Sequence, residues 1–94
     1  MITLDFENFE EKDILLNLAK EYDLTVNDSD VKNFDAASVI TIMGNSAQII
    51  ALLITLYQLF GNRNRVNYHS DNIDQDNLNI VAATELAKQD SQSL

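Results

Sequence analysis

Residues 36–60 read AASVITIMGNSAQIIALLITLYQLF, 25 consecutive residues without a charge, with Asp35 before them and Arg63 and Arg65 just beyond. How this run divides decides the fold. As one helix it would extend about 37 Å, more than the ~30 Å hydrocarbon core of a bilayer, and the flanking charges would orient it with its C-terminal end inside. Seven of the 25 residues are polar, however, and Gly44-Asn45-Ser46 lies mid-run. Split there, the longer piece covers only about 22 Å, which favours two buried elements of a soluble domain. A small single-span membrane protein stays as an alternative.

The second piece reads as a helix. From Ala47 onward, Gln48, Ala51, Thr55, Gln58 and Asn62 fall within about 80° of arc, one narrow polar stripe on an otherwise apolar cylinder. Ser46 is placed to cap its start and Gly61-Asn62 to close it. The first piece, Ala36 to Met43, is open. Its β-branched Val39, Ile40, Thr41 and Ile42 suit a buried strand, while Asp35 as N-cap and the unpunctuated run suit a helix.

Outward toward the N-terminus, Ile2, Leu4 and Phe6 alternate with Thr3, Asp5 and Glu7, the period of a strand with one buried face. Asn8 and Glu11 have the spacing of a capping box, which starts a helix near Phe9 with Ile14, Leu15, Leu18, Ala19 and Tyr22 on one stripe. Leu24-Thr25-Val26 then reads as a second strand, completing a strand-helix-strand unit, and residues 27–34 as loop. Toward the C-terminus, Val66 and Tyr68, a polar loop from Asp71 to Asn77, and Leu78, Ile80 and Ala82 read as a hairpin. Residues 84–88 could add a helical turn or two, and residues 89–94 are polar enough to fray.

Ninety-four residues suit one small domain, and with 46% apolar and 22% charged residues the composition is that of a folded chain. There is no cysteine, hence no disulfide framework or thiolate metal site, and the N-terminus lacks a secretory signal, so the cytoplasm is expected. The net charge of −9 repels nucleic acid and anionic lipid. Ten of the 15 acids precede residue 36, which leaves an acidic inhibitor or immunity protein, blocking a basic partner, as a further alternative.

The N-terminal strand and helix, the two-part apolar segment (residues 37–43 and Ala47 to Phe60) joined at Gly44-Asn45-Ser46, the following Arg63 and Arg65, and the polar-turned hairpin together resemble the effector-associated constant component family, small domains of bacterial conflict and anti-phage systems. The likeness covers roughly Ile2 to Ala82. It departs in having one glycine at the break, and asparagines at Asn62 and Asn64 where the family carries more arginine. The resemblance implies a non-catalytic adaptor that couples sensing modules to effectors such as proteases, and it tips Ala36–Met43 toward helix.

Other chemistry is thin. Asp71, Asp74, Asp76 and Asn77 lack the turn glycine and closing glutamate of a calcium loop and read as a solvated turn. His69 has no cysteine or second histidine near it and reads as an ordinary strand residue. Glu10, Glu11 and Asp13 suit the first turn of a helix better than acid-base work. Arg63 and Arg65 could bind an acidic partner or neutralise the carbonyl end of the helix before them.

The expected fold is therefore α+β, a small mixed sheet of about four strands on a central apolar helix pair, in the order β-α-β-α-α-β-β, as a single domain over residues 1–83 with a short helical turn and frayed tail over 84–94. The expected function is a non-catalytic adaptor or regulatory module, without cofactor or metal. Its partner is a protein, such as a protease or other effector, or a second copy. The candidate contact residues are Ile49, Leu52, Leu53, Leu56, Tyr57, Phe60, Arg63 and Arg65, because a small sheet covers only one side of so apolar a helix.

Overall fold

The computed structural model describes residues 1–29 and 38–92. The chain runs β1 (Ile2–Glu7), α1 (Lys12–Glu21), β2 (Thr25–Ser29), β3 (Val39–Gly44), α2 (Ser46–Phe60), β4 (Arg65–His69), β5 (Asp74–Asn79) and α3 (Ile80–Gln92). This is an α+β fold. The five strands form one sheet in the order β2-β3-β1-β4-β5, and every neighbouring pair is antiparallel. The sequence pattern predicts a mixed sheet of about four strands; the sheet instead has five strands and is antiparallel throughout. β1 and β2 run the same way but β3 lies between them, and α2 likewise links β3 to β4 across β1. Two such split units make the β-α-β-β-α-β, or ferredoxin-like, arrangement, extended here by β5 and α3.

The alternation in β1 puts Ile2, Leu4 and Phe6 on the covered face, joined by Ile40 and Ile42 of β3 and Val66 and Tyr68 of β4, all buried. α1 adds Leu15 and Ala19, and α2 adds Ile49, Leu52, Leu53 and Leu56. The first half of the uncharged run is strand over Val39–Gly44, so the helix favoured by the family resemblance is corrected there. β-branching and a place beside β1 decide it, since β3 pairs along the whole of β1 from Ile2↔Gly44 to Glu7↔Val39. Asp35, Ala36 and Ala37 lie outside the described residues, as does most of the expected 27–34 loop; Asn27, Asp28 and Ser29 belong to β2.

Local signals explain the remaining boundaries. Asn8 is left-handed (φ 55°) and does not cap α1; its N–H donates to the Ser38 carbonyl at 2.9 Å. That turn drops Phe9 into the core, edge-on to Phe6 and Phe60 with centroids 5.6 and 5.8 Å apart. Gly44 ends β3 where a Cβ would lie 2.3 Å from Leu24 Cδ2. Asn45, rather than Ser46, caps α2 through a reciprocal box with Gln48, both bonds 2.9 Å.

The C-terminal region departs most from expectation. β5 takes up much of the expected polar loop and Leu78, while Ile80 and Ala82, expected to continue a strand, begin α3. Asn79 Oδ1 accepts the Ala82 N–H at 2.8 Å and Asn62 Oδ1 the Val81 N–H at 3.0 Å, satisfying two donors that a helix start leaves open. Ile80, Ala83, Thr84 and Ala87 recur at helical spacing and are buried. The small residues let α3 lie along α2. Residues 84–92 are therefore an integral helix and not a frayed tail; Ser93 and Leu94 lie outside the described residues.

Near its end α3 is pinned to the sheet, because the buried Tyr68 hydroxyl donates to Asp90 Oδ2. Burial and this bond push the Tyr68 phenol above its ordinary value. For Asp90, partial burial acts upward, but hydrogen bonds from Tyr68, Ser70 and Asn72 outweigh it and hold the carboxyl below the usual range.

Two outcomes follow from this packing. Ending the chain after Ala83 removes buried Thr84 and Ala87 and the partner of Tyr68, and should lower the urea midpoint by the equivalent of several kcal/mol. The depressed Asp90 favours the folded state above about pH 4, a contribution lost as pH falls through its folded value; the raised Tyr68 favours it below about pH 10, lost as pH rises beyond. Asp90→Asn should flatten the acid limb of a stability–pH profile and Tyr68→Phe the alkaline limb, each at a cost of about 1 kcal/mol near neutrality.

Candidate protein-interaction surface

α2 is capped by the Asn45–Gln48 box at one end and closed at the other by Gly61 (φ 71°), whose N–H donates to the Tyr57 carbonyl at 2.8 Å. Its polar stripe does not simply face water. Gln48 Nε2 donates to the carbonyls of Tyr22 and Asp23 at 3.1 and 3.3 Å. The Thr55 hydroxyl donates to the Ala51 carbonyl at 2.9 Å, which leaves it to accept from the Tyr22 hydroxyl 2.8 Å away. These bonds fix α2 against the C-terminal end of α1. Rotation is then settled: Leu52, Leu53 and Leu56 face the sheet, and Ile54 and Tyr57 face out, 42% and 49% exposed.

α3 completes the surface. Val81 is 45% exposed, and with Ile54, Tyr57, Thr84 and Glu85 it lines a shallow groove between the two helices. The groove's polar groups are few and partly committed. Thr84 Oγ1 donates to the Ile80 carbonyl at 2.8 Å, and Glu85 stands 3.6 Å from Lys88 Nζ. The lining offers apolar area, one phenol hydroxyl and, at its edge, the Glu85 carboxylate, the chemistry of recognition by burial.

The structure sorts the eight residues expected from the sequence to meet a partner. Ile49, Leu52, Leu53 and Leu56 are fully buried in the core and cannot do so in this fold. Tyr57 is exposed and central. Phe60 is half-buried against Phe9, with the Arg63 guanidinium 5.9 Å from its ring centroid. Arg63 also donates to Glu11 Oε1 at 3.1 Å, which ties the end of α2 to the start of α1. Arg65 lies on the opposite, open face of the sheet, bordering a hollow with Asp5, Glu7 and Asn67. The arginines therefore form no joint site.

Ile54, Val81 and Leu59 (55% exposed) are not among the eight residues expected from the sequence to meet a partner, although Ile54 and Leu59 belong to the apolar crowd on α2. Ile54 and Tyr57 at i, i+3 were available as a signal; Val81 was hidden by reading its segment as a strand. Among the described residues no helix is long and apolar enough to cross a membrane, and α2 has 15 residues. Comparison with protein-family models, with curated proteins and with solved structures finds no match for this chain.

Proposed function

We propose that this chain is a non-catalytic protein-binding module that seats an apolar helical segment of a partner protein, flanked by basic residues, in the groove between α2 and α3. The observation that supports it is the inversion of α2, whose polar Gln48 and Thr55 are spent on α1 while apolar Ile54 and Tyr57 are left in water. A surface helix ordinarily does the reverse. Two adjoining helical ridges with apolar side chains between them are a form that receives a third amphipathic helix. The net charge of −9 selects against an acidic segment and for a basic one. Service as an adaptor to an effector such as a protease, in a conflict or anti-phage system, is the setting that the sequence resemblance suggests for such a partner.

The partner should be recovered by native co-purification and mass spectrometry, then titrated as a purified protein. Ile54→Asp and Tyr57→Asp should each weaken binding by on the order of 30-fold or more, with unchanged far-ultraviolet circular dichroism, because both side chains are exposed. The free protein should have the mass of a monomer. Equal affinity in both variants would sink the proposal. So would binding abolished by about 0.5 M salt yet indifferent to these substitutions, which would point to the acidic front, or a dimeric mass that Tyr57→Asp dissolves, which would make a second copy the occupant.

A further inference from the structure

The opposite face of the sheet carries a second arrangement, unrelated to the groove. His69 on β4 pairs in register with Asp74 on β5, and its Nδ1 lies 2.5 Å from Asp74 Oδ1. On its other side, Nε2 lies 3.6 Å from Asp5 Oδ2 on β1 and 3.8 Å from Asp76 Oδ1 on β5. Asp76 reaches the same ring because the β4–β5 register shifts between Val66 and Tyr68. Asp76 and the left-handed Asn77 (φ 57°) both stand opposite Asn67, whose Oδ1 accepts the Asn77 N–H at 2.9 Å. The hairpin end is tied by Ser70, whose N–H donates to the Ile73 carbonyl at 2.7 Å and whose hydroxyl accepts the Ile73 N–H at 3.1 Å.

Three strands thus deliver one imidazole and three carboxylates to one spot on rigid backbone. Among the described residues no arginine or lysine pairs with Asp5, Asp74 or Asp76. Among the described residues the imidazole is the one basic group within 4 Å of these carboxylates; Arg65 borders the neighbouring hollow with Asp5 without forming an ion pair to it. We propose that His69, Asp74 and Asp76 bind a single first-row divalent transition ion, with Asp5 at the edge of the site. One donor atom from each of the three lies within 4.8 Å of the others. Ligands around such an ion stand roughly 3 Å apart and the two ring nitrogens diverge, so the ion would take Nε2, which Asp76 already faces, and the exposed Asp74 would leave Nδ1 and rotate to the same side.

The donors define the ion. An imidazole nitrogen with carboxylate oxygens and no thiolate suits Zn²⁺ and its first-row neighbours, while Mg²⁺ and Ca²⁺ favour oxygen alone. Thr41 Oγ1 donates to Asp5 Oδ1 at 2.7 Å, the kind of outer contact that orients a carboxylate at a metal. Binding would join β4 and the edge strand β5 through one ion, with Asp5 of β1 beside it.

The chain holds a single histidine and no cysteine, which makes the test specific. Zn²⁺ is titrated into the full-length, untagged protein after chelator treatment, and the His69 imidazole resonances are followed by NMR. They should shift saturably at one equivalent, and the melting temperature should rise with Zn²⁺. Asp74→Asn and Asp76→Asn should each weaken the interaction at least about tenfold, Mg²⁺ should bind more weakly than Zn²⁺, and His69→Gln should remove the thermal shift. Unmoved His69 resonances at about 1 mM Zn²⁺, or equal affinity in the Asp74→Asn and Asp76→Asn variants, overturn the proposal and leave His69 as a histidine held only by its carboxylate neighbours.

Discussion

Leu4 stands at the middle of the middle strand, opposite Ile42 of β3 on one side and Tyr68 of β4 on the other, and no part of it reaches solvent. That position constrains the rest. With β1 central, both helical connections must cross over an intervening strand, so all neighbours become antiparallel and both strands flanking β1 keep apolar residues on its buried side. A single sheet of this kind needs one covering layer. The alternation Ile2, Leu4, Phe6 selects the face it covers, and truncating Leu4 would open a cavity where the register of three strands is set.

The open face inherits the other half of that alternation. Thr3, Asp5 and Glu7 on β1, Asn67 and His69 on β4, and Asp74 and Asp76 on β5 fall there by the pleat, and the register shift in β5 keeps Asp76 beside His69. The bulge at Asn77 matters to both faces. Gln75 pairs with Tyr68 and Leu78 with Val66, and three residues apart these two would point oppositely in a regular strand. The extra residue restores Leu78 to the core side and leaves Asp76 beside His69. It also bends an edge strand that already carries two aspartates, features that discourage pairing with another sheet.

Much of this was legible where the determining period is local. β1, α1 and α2 declare themselves within six to fifteen residues, and Gly44 and Gly61 mark the ends of β3 and α2 as read. What was not legible depended on partners distant in sequence. Val39 to Gly44 is ambiguous in isolation and becomes strand because β1 and β2 pair with its two edges. α3 reads late and short in the sequence, as a turn or two over 84–88, because Leu78, Ile80 and Ala82 alternate for three positions, while the helical set Ile80, Ala83, Thr84, Ala87 is built largely from small residues with a faint hydrophobic signal. The excess apolar surface of α2 could be read from composition, but not which arc of it meets water. Tyr22, 33 residues before Thr55, decides that by hydrogen bonding to it. His69 and the two aspartates were each visible, and only the register brings them together.

The apolar groove and the acidic charge act on the same problem from two sides. Exposed Ile54, Tyr57 and Val81 would tend to draw a second copy of the chain, since isologous contact of like patches is the simplest way to cover them. Each copy carries −9, however, and two such bodies approach against a field that extends about 8–10 Å at ordinary ionic strength. α2 is itself uncharged, so the repulsion comes from the surroundings of the groove and leaves its contact chemistry intact. In the reading proposed above, a basic-flanked partner would meet the opposite balance, attracted by the same field and received by the same apolar lining. Charge would then decide which molecules reach the groove, and Ile54, Tyr57 and Val81 how long they stay.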